Sequence, residues 1–263
     1  DFEAGCITPI KSEGSVEHTF TTSGSQKLSI FFYDSSATDV WLGFNNPNVN
    51  VVEGPIPGDT LDRLYWSGDG YPKMGVYASI VSGASYPNVS YRLGVPAPSQ
   101  PWTADPSIAS GALDDTVTPE DVSYVVTFVT AYGEEGPPST ASTPLEVTFS
   151  TQAVTVPLSS IGSSGNYNFS TGALKRIYRS NTGSTSTQFQ FVAEVPFTQA
   201  SYTDTATSAA LGELLPSTYW IGPPDDNTSL YPDGQLQGLT TVANGILAGF
   251  MGKRLCLSEP YLP

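Results

Sequence analysis

Residues 123–139 read SYVVTFVTAYGEEGPPS, and residues 174–205 read LKRIYRSNTGSTSTQFQFVAEVPFTQASYTDT. In the first stretch successive side chains of an extended chain point to opposite faces. Val122, Tyr124, Val126, Phe128 and Thr130 therefore share one face, and Val125, Thr127, Val129 and Ala131 the other. Both faces are largely apolar, so the strand is expected at the centre of a sheet. A turn at residues 133–139 ends it, and further short strands are expected at 145–149, 153–158, 173–180, 188–195 and 201–205. Short strands separated by clusters of turn residues are the pattern of an antiparallel sandwich.

Upstream, residues 27–44 hold two aromatic-rich runs around a polar turn, a predicted hairpin with Leu28, Ile30, Phe32, Val40, Leu42 and Phe44 as its core candidates. Residues 45–59, crowded with Asn, Pro and Gly, read as a loop. A strand over 61–67 follows, ended by Gly68-Asp69-Gly70, and residues 74–81 and 89–95 are expected to extend its sheet. The proline-rich run 96–106 cannot supply ladder donors at its prolines and reads as a linker, with Trp102 anchoring it to a neighbouring domain. Downstream, residues 222–233 read as a loop. In residues 238–257 the pair Asn244-Gly245 between apolar runs is the strongest short hairpin signal in the chain, followed by a turn at Met251-Gly252-Lys253. This meander matches neither half of the sandwich and is patterned more like a propeller blade. Helical periodicity is absent, so the fold class is all-β, divided into residues 1–100, 101–217 and 218–263.

The 263 residues suffice for one large domain or two to three small ones. Hydrophobic residues make up 39% and charged residues 13%, with 25 Gly and 22 Pro, so solubility rests on Ser, Thr, Asn and Gln. With 25 acidic against 10 basic residues the net charge is -15, which repels phosphate backbones and argues against nucleic-acid binding as a primary role. The same repulsion would let DNA slide through a ring of such subunits without sticking, and it would equally keep a Ser/Thr-rich protein soluble. Cys6 and Cys256 near opposite ends are expected as reduced thiols rather than a long-range bridge. The apolar runs fall short of membrane-spanning length, and no membrane insertion is expected. The start at Asp1-Phe2-Glu3 and the end at residues 259–263, directly after a strand-like run, suggest a fragment of a longer polypeptide.

Catalytic patterns are scarce. His18 is the single histidine, so a Ser-His-Asp or Cys-His device would have to use it, and it reads as a surface residue. Cages of several His or Cys are excluded by count, so no cofactor and no metal site is expected. The pairs Asp114-Asp115, Glu134-Glu135 and Asp225-Asp226 lack calcium-loop spacing and read as turn and solvating residues. Gly162-Ser163-Ser164-Gly165 lacks the ending of a phosphate loop and reads as a flexible loop. Tyr33, Trp41, Tyr65, Trp66 and Tyr71 would suit a sugar-stacking platform, although core packing accounts for most of them.

Residues 123–139 also resemble the last hairpin of a fibronectin type III domain, and 174–205 its middle strands, in an order that implies a permuted or inserted module. More broadly, residues 61–74 (LDRLYWSGDGYPKM), 90–98 (SYRLGVPAP), 124–139, 176–180 with 189–195, and 239–263 resemble bacteriophage virion proteins, in particular tail proteins of the nozzle or tail tubular protein B type. The resemblance implies a non-enzymatic homo-oligomer, a hexameric ring at the distal end of a phage tail, assembled in the host cytoplasm. Other phage tail proteins would be partners, and genomic DNA only passing cargo. A fibronectin-like sandwich would be flanked by partial propeller-like antiparallel sheet segments. Asp225, Asp226, Asp233 and Glu259 are the candidates for acidic residues facing its lumen. The alternative reading is a carbohydrate-binding or host-surface-binding adhesin module, which should line a groove with exposed aromatics.

Overall fold

The structure is a computed structural model and describes residues 27–33, 40–83, 85, 87–99, 104–159, 161–163, 165–182 and 186–260. The described residues are nearly all β, in several antiparallel sheets, and among them no sheet closes into a barrel.

The first hairpin joins β1 (Ser29–Tyr33) to β2 (Val40–Phe44). Its register sets Tyr33 opposite Val40, Phe31 opposite Leu42 and Ser29 opposite Phe44. Cross-strand partners share a face, so Phe31 and Tyr33 turn inward with Val40, Leu42 and Phe44. Leu28, Ile30 and Phe32, the expected core residues of the first strand, point outward and are 53%, 56% and 42% exposed. The run SIFFY is apolar on both faces, so periodicity cannot choose between them. The partner strand chooses.

β3 (Asn50–Glu53), β4 (Arg63–Ser67), β5 (Lys73–Val76) and β6 (Tyr91–Arg92) form a four-stranded sheet in that order. β3 lies inside the stretch read as a loop. Its four residues are too short for a visible alternation, and pairing of Val51 with Trp66 and Val52 with Tyr65 is what makes it a strand. The strand expected over 74–81 stops at Val76, because α1 (Tyr77–Ile80) turns back and inserts Ile80 beneath β4. Gly75 leaves room for this, since a Cβ there would lie 2.9 Å from Ile80 Cγ1. The strand expected over 89–95 shrinks to the two residues of β6. After β4, Gly68 turns at φ +91°, and a Cβ there would fall 2.0 Å from the Asn48 carbonyl oxygen.

The sandwich comprises β7 (Ser107–Ser110), β8 (Glu120–Val122), β9 (Tyr124–Val129), β10 (Leu145–Val147), β11 (Ala153–Pro157), β12 (Leu174–Thr182), β13 (Thr187–Pro196) and β14 (Ser201–Asp204). One sheet runs β14-β11-β7 and the other β13-β12-β9, with β10 paired to β8. Tyr124, Val126 and Phe128 of β9 meet Val154 and Val156 of β11, Ile177 of β12 and Val195 of β13 in one core. Each fully buried aliphatic or aromatic side chain there contributes roughly 1.5–3 kcal/mol. All six residues of β9 are buried. Beyond β12 on one side, its other edge is covered by residues 136–142, whose Gly136, Ser139 and Ser142 amides donate to the carbonyls of Phe128, Val126 and Tyr124 at 2.8–2.9 Å. Pro137 and Pro138 cannot donate or make a regular strand here. The Ser139 and Ser142 hydroxyls instead accept the amides of Val126 and Tyr124 at 3.1 and 2.9 Å.

β15 (Gln237–Val242), β16 (Ile246–Met251) and β17 (Arg254–Leu257) form the last meander. Asn244 and Gly245 turn at φ 64° and 66°, and Gly252 at φ 57°, as the sequence expects. Leu239 and Leu247, with Leu236, pack on Tyr65 and Met74. Leu64 and Trp66, the alternate residues of the same strand, pack on the first hairpin. The β3–β6 sheet is thus the middle of three layers, with the hairpin on one face and the meander on the other.

Candidate functional site

Carboxylates are the most numerous chemically active side chains, and the structure gives most of the singled-out ones a basic partner. Asp225 and Asp226, in the loop before β15, share Arg92 of β6: its Nη1 lies 3.3 Å from Asp225 Oδ2 and 2.7 Å from Asp226 Oδ1. Nη2 adds a second bond to Asp226 at 3.2 Å, a bidentate clamp. The hydrogen bond from Arg92 holds Asp226 below the usual carboxylate range, and the same bond raises Arg92. The guanidinium lies over the Tyr71 ring, 3.9 Å from its centroid. Asp233 faces Arg254 at 3.6 Å, and Glu259 is exposed beyond β17. Of the four proposed lumen residues, the structure brings Asp225 and Asp226 together on Arg92, pairs Asp233 with Arg254 instead, and leaves Glu259 exposed.

Glu134 and Glu135 diverge from their turn. Glu134 meets Arg63 of β4, Nε to Oε1 at 3.3 Å, and Arg63 also binds Asp59 at 2.9 Å and donates to the Tyr132 carbonyl at 3.2 Å. Burial pushes the Glu134 carboxyl up, partly offset by the Thr130 hydroxyl and Arg63. Glu135 turns into the sandwich, accepting from Arg176 and from the Tyr178 hydroxyl, each at 2.7 Å. These contacts are a junction: Arg63 ties the middle layer to the sandwich, the rings of Tyr91 and Tyr132 meet edge-on at 6.1 Å, and the Arg92 amide donates to the Asn166 carbonyl at 2.7 Å. Asp114 accepts from the Thr116 amide and hydroxyl, an Asx turn that lowers its carboxyl.

The five aromatics of the sugar-platform reading do not share a surface. Tyr33 and Trp66 are buried on one face of the middle layer and Tyr65 on the other. Trp41 packs on Phe32 at 4.7 Å between centroids, and Tyr71 lies beneath Arg92. A cleft of about 660 Å³ opens between β1, β3 and the tip of the β15–β16 hairpin, lined by Phe31, Val51, Val52, Thr241 and Asn244, with Glu53 as its charged lining residue. Among the described residues no cluster of three or more His, Cys, Asp and Glu stands at metal-binding distance, and no helix is long and apolar enough to cross a membrane. Cys256 is a half-buried free thiol; Cys6, His18, Trp102 and Ser164 lie outside the described residues.

Sequence reading misses the feature that distinguishes this surface. Two of the three layers are apolar on their outer faces as well as their inner ones. The hairpin presents Leu28, Ile30 and Phe32 beside half-buried Trp41, and the meander presents Val242, Phe250, Leu255 and Leu257. The doubly apolar run SIFFY was the available signal. No protein-family model matches the sequence, and no curated protein matches it.

Proposed function

We propose that this chain is a structural component of a bacteriophage tail, a nozzle or related ring-forming protein, which self-associates and helps form the conduit through which DNA is ejected. The observation that carries the reading is the pair of outward apolar sheet faces, because contiguous exposed apolar surface of this kind marks interaction sites on soluble proteins. The resemblance noted in the sequence supplies the kind of assembly, a hexameric ring within the virion tail. The net charge of -15 supports a passage in which DNA is repelled rather than held. The role proposed is mechanical, without an enzymatic step, and neighbouring tail proteins would complete the conduit.

The adhesin reading is less well supported, because three of its five aromatics are buried. Sedimentation velocity and negative-stain microscopy of the full chain at moderate salt test the proposal. A ring-sized oligomer is expected. A monomer at tens of micromolar that binds glycans would overturn it.

A further inference from the structure

The cleft of about 660 Å³ is lined by every residue from Val51 to Pro55. Successive side chains of a strand point to opposite faces, so a space that touches consecutive residues lies along the edge of β3 rather than over one of its faces. β3 is the end strand of the β3-β4-β5-β6 sheet. Its free groups follow from its pairing. The Gly54 amide donates to the Arg63 carbonyl at 2.7 Å, and the register sets Glu53 opposite Leu64 and Val52 opposite Tyr65. Bonded and non-bonded pairs alternate in an antiparallel ladder. Gly54 and Val52 are therefore the residues bonded to β4, and the amides and carbonyls of Val51 and Glu53 turn the other way, into the cleft. Among the described residues, no backbone hydrogen bond reaches these groups.

Walls stand on both sides of this edge. Phe31 of β1 belongs to the layer on one side, and Thr241, Val242 and Asn244, at the tip of the β15–β16 hairpin, to the layer on the other. The parity of β3 matches, because Val51 packs with the first hairpin and Val52 with the meander. A short edge strand that carries a charge is a usual defence against edge-to-edge pairing, but such a defence needs no walls. A recessed edge with free donors and acceptors at alternate residues, between partly apolar flanks, has the form of a site that takes an extended chain as one more strand. The main chain then supplies affinity and the alternate side chains specificity.

The charge of the slot selects the chain that enters it. Glu53 is exposed and is the charged lining residue. None of the ion pairs among the described residues uses it. A residue directly opposite Glu53 on an added strand is its cross-strand neighbour, and opposite charges favour that pairing. The described part of this chain has no extended basic segment free to supply it. Arg63, Lys73, Arg92, Arg176, Arg179 and Arg254 are in ion pairs, and Lys175 is buried. Lys253 stands in the β16–β17 turn, and Lys27 adjoins Leu28, whose amide already donates to the Phe44 carbonyl. The net charge of -15 likewise draws a basic partner rather than a second copy.

We infer that the slot beside β3 is a docking site for an extended basic segment of another protein, which adds antiparallel to β3 and lengthens the four-stranded sheet by one strand. A basic residue of that segment faces Glu53, and the residue two positions on faces Val51, both on the side of Phe31. The residue between them faces Val242. The site is separate from the outer sheet faces and does not depend on the ring-forming reading.

Amide exchange of the full chain, resolved to single residues by mass spectrometry with electron-transfer fragmentation, reads the edge itself. In the unbound protein Val51 and Glu53 are expected to exchange fast, and Val52 and Gly54 slowly. The probes are synthetic peptides of about six residues, alternating Val and Thr, with one Lys moved through each position. Matching peptides carry Glu in place of Lys, or N-methyl groups on the amides that face β3. Fluorescence polarisation of dye-labelled forms gives the affinities. At least one Lys peptide is expected to bind and to slow exchange at both Val51 and Glu53, and N-methylation to abolish binding. Glu53→Lys is expected to shift the preference for Lys over Glu peptides by about tenfold. Val51→Pro removes the outward amide without touching a bond to β4 and is expected to weaken binding about threefold to tenfold. Should that variant misfold, the N-methylated peptides test the same bonds with the protein unaltered. The proposal is overturned if no Lys peptide binds at millimolar concentration, or if binding leaves Val51 and Glu53 unprotected or tolerates N-methylation. A Lys preference that survives Glu53→Lys overturns the basic occupant. Slow exchange of Val51 and Glu53 in the peptide-free protein also overturns it, by showing the edge already filled by the chain itself or by a second copy.

Discussion

Replacing Asp204 with alanine removes the charge that balances the most deeply buried cation of the sandwich. Arg179 on β12 and Asp204 at the end of β14 are both fully buried, with Arg179 Nη1 2.6 Å from Asp204 Oδ2. The same Oδ2 accepts the Tyr124 hydroxyl at 2.8 Å, and Oδ1 accepts the Ala206 amide at 2.9 Å. Burial first, and then the neighbouring carboxylate, raise the Tyr124 phenol far above its ordinary range, so it remains a donor. The guanidinium stacks on Phe149, its Cζ 3.7 Å from the ring centroid, while Nε and Nη2 have no hydrogen-bond partner among the described residues. It has no slack to absorb a second loss.

Deleting the carboxylate strands a buried positive charge, which costs about 3–5 kcal/mol. That is a fifth or more of the total stability of an ordinary domain, about 5–15 kcal/mol. Urea unfolding of Asp204→Ala followed by circular dichroism, read from the sandwich transition, should show this loss at pH 7. Arg179→Met combined with Asp204→Leu removes both charges and should recover most of it, because a buried pair exchanged for apolar groups of similar volume is often neutral. A single variant within about 1 kcal/mol of the parent would refute the charge argument. A double variant as unstable as the single would show that hydrogen-bond geometry, rather than charge balance, holds the site.

Three further outcomes follow from the same geometry. Burial raises the Glu134 carboxyl above its unfolded value of 4.5, so the folded state holds that proton more tightly, and the resulting stability is full below that pH and lost as pH rises through the folded pKa. Glu134→Gln should therefore compare progressively better with the parent in unfolding experiments between pH 4 and pH 7, and a flat difference would exclude this sign. Arg92→Ala should release the 222–236 loop, seen as faster amide exchange in peptides carrying Asn227 and Tyr231, with unchanged exchange in β9. Gly68→Ala adds a Cβ 2.0 Å from the Asn48 carbonyl oxygen at φ +91°, and thermal unfolding should show a loss of at least about 2 kcal/mol in the layered body.

How far the fold can be read in advance depends on whether a strand's own residues or its neighbours decide its state. β9, β12, β13 and the Asn244-Gly245 turn announce themselves, because a doubly apolar strand, a long alternating hairpin and a left-handed turn pair each carry a local signal. β3 and β7 are four residues each, NVVE and SIAS, and become strands only because Trp66 and Tyr65, or Thr155 and Val154, lie beside them. The inner face of β1 belongs to the same class. A slip of one residue exchanges Ile30 and Phe32 for Phe31 and Tyr33, and in SIFFY neither choice violates the pattern. The carboxylate pairs were legible as candidates, but their partners were not. Arg92 is 133 residues from Asp225, and Arg63 is 71 from Glu134, separations at which no sequence spacing carries information.

The distribution of positive charge connects the junction to the proposed conduit. The chain has ten basic residues. Arg63, Lys73, Arg92, Arg176, Arg179 and Arg254 are engaged in ion pairs, and Lys175 is buried with its ammonium donating to the carbonyls of Leu158 and Gln199 at 3.1 and 3.2 Å. Most of the cations are thus committed to internal contacts, Arg63 among them holding the layered body to the sandwich, while carboxylates such as Asp115, Asp121, Glu146 and Glu259 stay exposed. A phosphate backbone approaching such a surface would meet an acidic excess and few cations able to displace its counterions. The arginines cannot serve both purposes: each one placed to bridge two parts of the chain is one fewer available to hold DNA. A surface arranged in this way suits the proposed wall along which nucleic acid passes.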